Sequence, residues 1–249
     1  MIYLKKILLI LILISTGNVH AKEVKVAVAS NFYKPMLQLA KQFSDTTGNK
    51  VVVSAGATGA LYAQIKNGAP FDLFLAADQK RPIALENENK AVLGSRFTYA
   101  QGQLAFWSKQ PGYTNEQSFL DAISHVEHIA IANPKNAPYG AASIDVMNKL
   151  GVYKQTQSKI VEGHNIGQTF QYISSETVDC GFVALSQVYL NGKISEGSAW
   201  LVPSTLHREL KQDAILLQQG EKNPVAQSFL TFLQSEPAKR TIRSFGYLI

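Results

Sequence analysis

The chain has 249 residues, 46% of them hydrophobic, with 24 lysines and arginines against 18 aspartates and glutamates and a formal charge of +6. That is ample for a core, and because the basic residues are scattered rather than run together, the charge gives no support to nucleic-acid binding. Cys180 is the only cysteine, which excludes internal disulfides, and its apolar setting reads as a buried small hydrophobe.

Met1 to Ala21 has the layout of a secretory signal: Lys5 and Lys6, the apolar run Ile7 to Ile14, then Val19-His20-Ala21 as a small-x-small cleavage site. Cleavage after Ala21 leaves roughly 228 residues of charge about +4, one large domain or two lobes. The signal region holds no cysteine, which argues against a lipid anchor. No later apolar run reaches the ~18 residues of a membrane span, so a soluble exported product is expected.

Val24 to Ala29 reads as a strand ending at Ser30-Asn31, a natural helix start. The helix that follows carries Met36, Leu39, Ala40 and Phe43 at helical spacing, has Pro35 in its first turn and stops at Gly48. Lys50 to Ser54 is a second strand, and Ser54-Ala55-Gly56-Ala57-Thr58-Gly59 turns it into a helix through Leu61 and Ile65 that stops at Gly68. Phe71 to Ala76 is a third strand. From about Gln103 the layout restarts: strand Leu104 to Trp107, helix around Phe119 to Ile123, strand Ile129 to Ala132, and a two-proline loop from Asn133 to Ala142 opening a helix Ser143 to Leu150. Strand Ile160 to Glu162, the turn His164-Asn165-Ile166-Gly167, a helix through Phe170 and Ile173, and strand Val178 to Ala184 follow. After Pro203 come strand Ala214 to Leu217 and two helices, opened by Asn223-Pro224 and Glu236-Pro237.

Strands alternating with helices predict parallel sheets, whose ligands bind beyond the carboxyl ends of the strands. Ser30, Asn31 and Thr58 fall there. The turns are small, polar and uncharged. The first N–H groups of a helix have no internal partner and carry its positive dipole end, so such turns can hold an anion without a lysine or arginine. Taken alone, each is equally an ordinary helix cap. Two lobes presenting several such starts to one gap would make a cleft that closes on a small ligand.

Several pieces carry a family resemblance. Val28-Ala29-Ser30-Asn31-Phe32, Ser54 to Gly59, Asn67-Gly68-Ala69-Pro70-Phe71-Asp72 and Ala76-Ala77-Asp78-Gln79-Lys80 resemble the periplasmic molybdate-binding proteins of molybdate ABC transporters, as do Gly94 to Tyr99, Asn133-Pro134, Ala137-Pro138-Tyr139-Gly140 and Gly181 to Gln187. The resemblance covers essentially the whole mature chain. It implies an α/β, two-lobed type II periplasmic binding protein fold, each lobe a mainly parallel sheet flanked by helices: a signal over 1–21, lobe 1 over 22–100, lobe 2 over 101–204 and a return to lobe 1 over 205–249.

The same resemblance implies a monomeric, non-catalytic protein that delivers molybdate or tungstate to a membrane permease, with no cofactor and no bare metal ion. Carried over residue by residue, the ligand set is Ser30 and Asn31, Thr58, Tyr139 and Ile166. Ser30 and Thr58 would give hydroxyl and N–H; the other three would give chiefly N–H. Some members place a tyrosine hydroxyl where this chain has Ala184, so this sequence goes with the branch that uses Asn31 and Tyr139 instead.

The chemistry is consistent. Molybdate, tungstate and sulfate are dianions at neutral pH that only accept hydrogen bonds, whereas phosphate keeps a proton and wants an acceptor. Charge-assisted bonds of about 1.5 to 3 kcal/mol each would make six or seven donors a tight site. Sulfate, selected by cavity size, is the alternative ligand; an exported hydrolase of phosphate or sulfate esters is the alternative class, and it would need a nucleophile beside a base. His125, His128, His164 and His207 read as surface or loop residues, with His164 beside the fourth turn. Asp72 and Asp78 read as strand-end caps and lobe contacts, Trp107 and Trp200 as packing. A ferric site on Tyr139 lacks a second tyrosine with a suitable neighbour.

Overall fold

The computed structural model describes residues 22–249, so the signal and cleavage site expected over Met1 to Ala21 lie outside the described residues. β1 (Glu23–Ala29) leads through a 3-10 turn (Ser30–Phe32) into α1 (Tyr33–Thr47). β2 (Lys50–Gly56) leads into α2 (Thr58–Lys66), and β3 (Leu73–Leu75) into α3 (Lys80–Asn87). After β4 (Phe97–Gln101) come β5 (Leu104–Ser108), α4 (Glu116–His125), β6 (Ile129–Ala132), α5 (Pro138–Lys149) and a short α6 (Tyr153–Thr156). β7 (Ile160–Gly163), α7 (Ile166–Ser174), β8 (Cys180–Ala184) and a short α8 (Leu185–Val188) follow. The chain closes with a hairpin of β9 (Tyr189–Leu190) and β10 (Lys193–Ile194), then β11 (Ser198–Leu201), β12 (Lys211–Leu216), α9 (Pro224–Leu233) and α10 (Glu236–Ser244).

The strands form two five-stranded sheets, β2-β1-β3-β12-β4 and β11-β5-β8-β6-β7. Each has a parallel core, β2-β1-β3 in one and β8-β6-β7 in the other, and antiparallel pairings through β12 and β4 or β5 and β11. Alternate residues of a strand face opposite sides, so each sheet buries two layers. Val24, Val26 and Val28 of β1 pack with Met36, Leu39 and Phe43 of α1 and with Phe229 of α9, while Ala27 faces Leu61 and Ile65 of α2. In the second sheet Phe106, Ile131 and Phe182 pack under Phe119 and Val146, and Trp107, Ala130 and Val183 pack against Ile173. The chain crosses between sheets after β4 and returns before β12; the tail holds the first crossing, with Leu248 N–H donating to Gln101 O at 3.0 Å.

The helix expected over Ser143 to Leu150 begins earlier, at Pro138, because proline at the first helical position gives up only an N–H that has no intrahelical partner. Gly140 permits this early start: a Cβ there would lie 1.9 Å from Ala132 O, so the helix seats directly on the end of β6. Helix α3 and strand β4 carry too short an apolar pattern to read from sequence. His207, expected at the surface, is 7% exposed, with Nδ1 2.7 Å from Arg208 O.

Candidate functional site

Four strand-to-helix turns converge at the carboxyl ends of the two sheets. Ala29 precedes the turn into α1, Ala57 precedes α2, Ala137 precedes α5 and Asn165 precedes α7, all with extended backbone. Alanine is a poor helix cap because it has no side-chain acceptor. Accordingly Ala29, Ala57 and Ala137 make no side-chain cap bond. Asn165 does cap α7, and its Oδ1 accepts from Gly167 N at 2.8 Å and Gln168 N at 3.1 Å, leaving the N–H of Ile166.

The turns enclose a small cavity of about 10 Å³ lined by Ser30, Asn31, Thr58, Tyr139 and Ile166, with Ala57, Ala77, Ala137 and Pro138 completing much of its wall. A volume of that order is room for about one water, so the closed cavity excludes a sugar or an amino acid. No hydrogen bond among the described residues engages the main-chain N–H of Asn31, Thr58, Tyr139 or Ile166. Ser30 Oγ accepts from Gly167 N at 3.3 Å and Thr58 Oγ1 accepts from Ala77 N at 3.1 Å, so each hydroxyl keeps its own O–H to donate. The lining contains no Asp, Glu, His, Lys or Arg. Its character is therefore that of a donor-rich, uncharged pocket at four helix starts, which favours a small anion. Ser54 and Ala184, on β2 and β8, do not line it.

The side chains of Asn31 and Tyr139 point away from the cavity into a buried polar network that the sequence reading missed. Asn31 Nδ2 donates to Gln212 Oε1 and to Tyr247 Oη, both at 2.9 Å. Tyr99 Oη donates to the same Gln212 Oε1 at 2.9 Å, and Gln212 Nε2 donates to Tyr139 Oη at 3.1 Å. Burial holds the phenols of Tyr99, Tyr139 and Tyr247 above their ordinary range, so they stay protonated. Gln212 went unnoticed because it sits just ahead of the apolar stretch Ala214 to Leu217; a polar residue entering a buried strand was the available signal.

The two halves also touch elsewhere. Gly59 N–H donates to Asn136 O at 2.9 Å, Arg81 Nη2 to Lys135 O at 3.1 Å, and Ser186 Oγ to Asn31 O at 2.8 Å. Arg81 is itself held by an ion pair with Asp78. Asp72 instead accepts from Lys25 N at 2.6 Å, so the two aspartates serve separate structural contacts. His164 lies outside the cavity in a neighbouring groove beside Ser30 and Asn165. Trp107 stacks on Phe170 and Trp200 on Phe119. Burial pushes the Cys180 thiol up to about 12. Among the described residues no cluster of three or more His, Cys, Asp or Glu could hold a metal ion, and no helix is long and apolar enough to cross a membrane.

Comparison with known proteins gives consistent matches over almost all of the described chain. The family model for bacterial extracellular solute-binding proteins matches residues 24–248. The molybdate-binding protein ModA of Azotobacter vinelandii is 49% identical over 228 residues, 92% of this chain and 90% of its own. That of Rhodobacter capsulatus is 43% identical, with 92% of this chain and 89% of its own covered. The solved structure of the Azotobacter vinelandii periplasmic molybdate-binding protein superposes with a TM-score of 0.87 at 39% identity, over 91% of this chain and 99% of that one.

Proposed function

We propose that this chain, which belongs to the bacterial extracellular solute-binding protein family and within it to the molybdate-binding proteins, captures molybdate or tungstate between its two lobes and delivers it to a cognate ABC permease. The observation that carries this reading is the ring of unengaged main-chain N–H groups and two hydroxyls around one small cavity without a charged side chain. Ser30 and Thr58 give hydroxyl and N–H; Asn31, Tyr139 and Ile166 give N–H. A dianion takes up every donor. Monoprotonated phosphate would bring a proton for which the lining offers no carboxylate acceptor.

Residues 22–100 with 205–249 form one lobe and 101–204 the other, hinged at the two crossings near Gly102 and His207. The protein acts as a monomer in the periplasm after cleavage behind Ala21. Catalysis finds no support at this site: an ester hydrolase needs a base beside its nucleophile, and the Ser30 and Thr58 oxygens are met by main-chain N–H groups instead.

Isothermal titration of the mature protein with molybdate, tungstate, sulfate and phosphate tests the reading. Saturable one-to-one binding of molybdate, with sulfate at least a hundredfold weaker, is the expected result. Preference for sulfate would keep the fold and change the ligand; sustained release of product from a sulfate or phosphate ester would replace binding with catalysis.

A further inference from the structure

We infer that Gln212 is the positioning residue that fixes the width of this cavity and so the size of oxyanion it accepts. The inference rests on the oxyanion reading above. Gln212 lies on β12 in the first sheet and is 0% exposed. Its amide has one end for each lobe. Oε1 accepts from Asn31 Nδ2 and from Tyr99 Oη, both on its own side, and Nε2 donates across the lobe boundary to Tyr139 Oη. Two donors on one oxygen leave the amide a single orientation.

Asn31 and Tyr139 are the residues whose N–H groups line the cavity from opposite lobes. None of the three side chains lines it through its polar end, because those ends are engaged with one another. Asn31 is held a second time at its carbonyl, which accepts from Tyr247 Oη at 3.0 Å and from Ser186 Oγ. The contact is also tightly fitted. A Cβ on Gly102, where the chain crosses between lobes, would lie 2.0 Å from Tyr139 Oη and 2.5 Å from Gln212 Nε2. Only glycine leaves room for the bridge. A buried, fully satisfied polar bridge of this kind has one low-energy geometry, since slipping it strands polar groups away from water. It therefore sets the separation of the two N–H groups, and with it the fit to a larger or smaller tetrahedral anion.

The test is titration with sodium molybdate, and with sodium sulfate in competition, of wild-type protein, Gln212→Leu, Tyr139→Phe and the double variant. Gln212→Leu is expected to bind molybdate at least twentyfold more weakly and sulfate less than threefold more weakly, so that the selectivity ratio collapses. Tyr139→Phe, which keeps its N–H, is expected to lose about fivefold in molybdate affinity, and the double variant to be no weaker than Gln212→Leu, because both remove the same contact. A selectivity ratio unchanged in Gln212→Leu, or equal losses for both anions with additive effects in the double variant, would reduce Gln212 to a support of the fold and overturn the inference. Should Gln212→Leu fail to fold, an unchanged ratio in Tyr139→Phe overturns it alone. Wild-type protein that binds neither anion overturns the oxyanion reading itself, and this inference with it.

Discussion

Two helices that start at the cavity differ from three that start at the surface. α4, α9 and α10 begin behind Asn115, Asn223 and Ser235, and each of these side chains accepts from an N–H of its own first turn. α2 and α5 begin behind Ala57 and Ala137, and neither is capped. An alanine cap forgoes about 1 kcal/mol per helix relative to Asn or Ser. The lesson is that the cavity helices give up local stability so that their N–H groups remain available to something else. α7 is intermediate, since Asn165 engages two N–H groups and leaves that of Ile166.

The sharpest way to break this contrast is to cap a cavity helix. Ala57→Asp places a carboxylate where it accepts the first N–H groups of α2 and repels an arriving dianion. Molybdate affinity should fall by more than about a hundredfold, roughly 3 kcal/mol. The melting temperature without ligand should hold or rise, because the new cap is favourable. Normal affinity in that variant would show that the uncapped start has no part in binding.

Thr58→Ala removes one donor and the acceptor of Ala77 N–H. A loss of about 1 to 3 kcal/mol in binding is expected by titration, with the protein still folded, and Thr58→Ser should recover most of it. Arg81→Ala deletes the bond to Lys135 O between the two halves. Stopped-flow measurement should find release faster by about fivefold, near 1 kcal/mol, at an unchanged association rate. Ser235→Ala strips a surface cap and should cost about 1 kcal/mol in denaturant unfolding while leaving affinity untouched.

The smallest effect concerns pH. Tyr139 is the one titratable side chain in the cavity lining, and burial raises its phenol, so it stays neutral through the working range. Affinity should vary by less than about twofold from pH 6 to pH 9.

The strand-to-helix turns were legible because each joins an apolar strand to a small, uncharged start, and Pro138 and Asn165 mark two of them in the sequence itself. The network beneath them was not. Tyr99, Gln212 and Tyr247 lie far apart in the chain, and their roles arise only when β4, β12 and the tail meet behind the 3-10 turn at Asn31. Arg81 sits in a polar, short helix whose amphipathic pattern is weak, and nothing local announces that its guanidinium reaches Lys135. Long-range pairing of polar groups leaves no period to read.

The most direct test of the central claim is a pair of 1H–15N correlation spectra of the uniformly labelled protein with and without one equivalent of sodium molybdate. The amide resonances of Asn31, Thr58, Tyr139 and Ile166 should shift most, while those behind the surface caps, Ser118, Val225 and Ala238, should stay in place. Shifts largest elsewhere, or none at those four amides with molybdate bound, would contradict the account that main-chain donors at uncovered helix starts hold the anion.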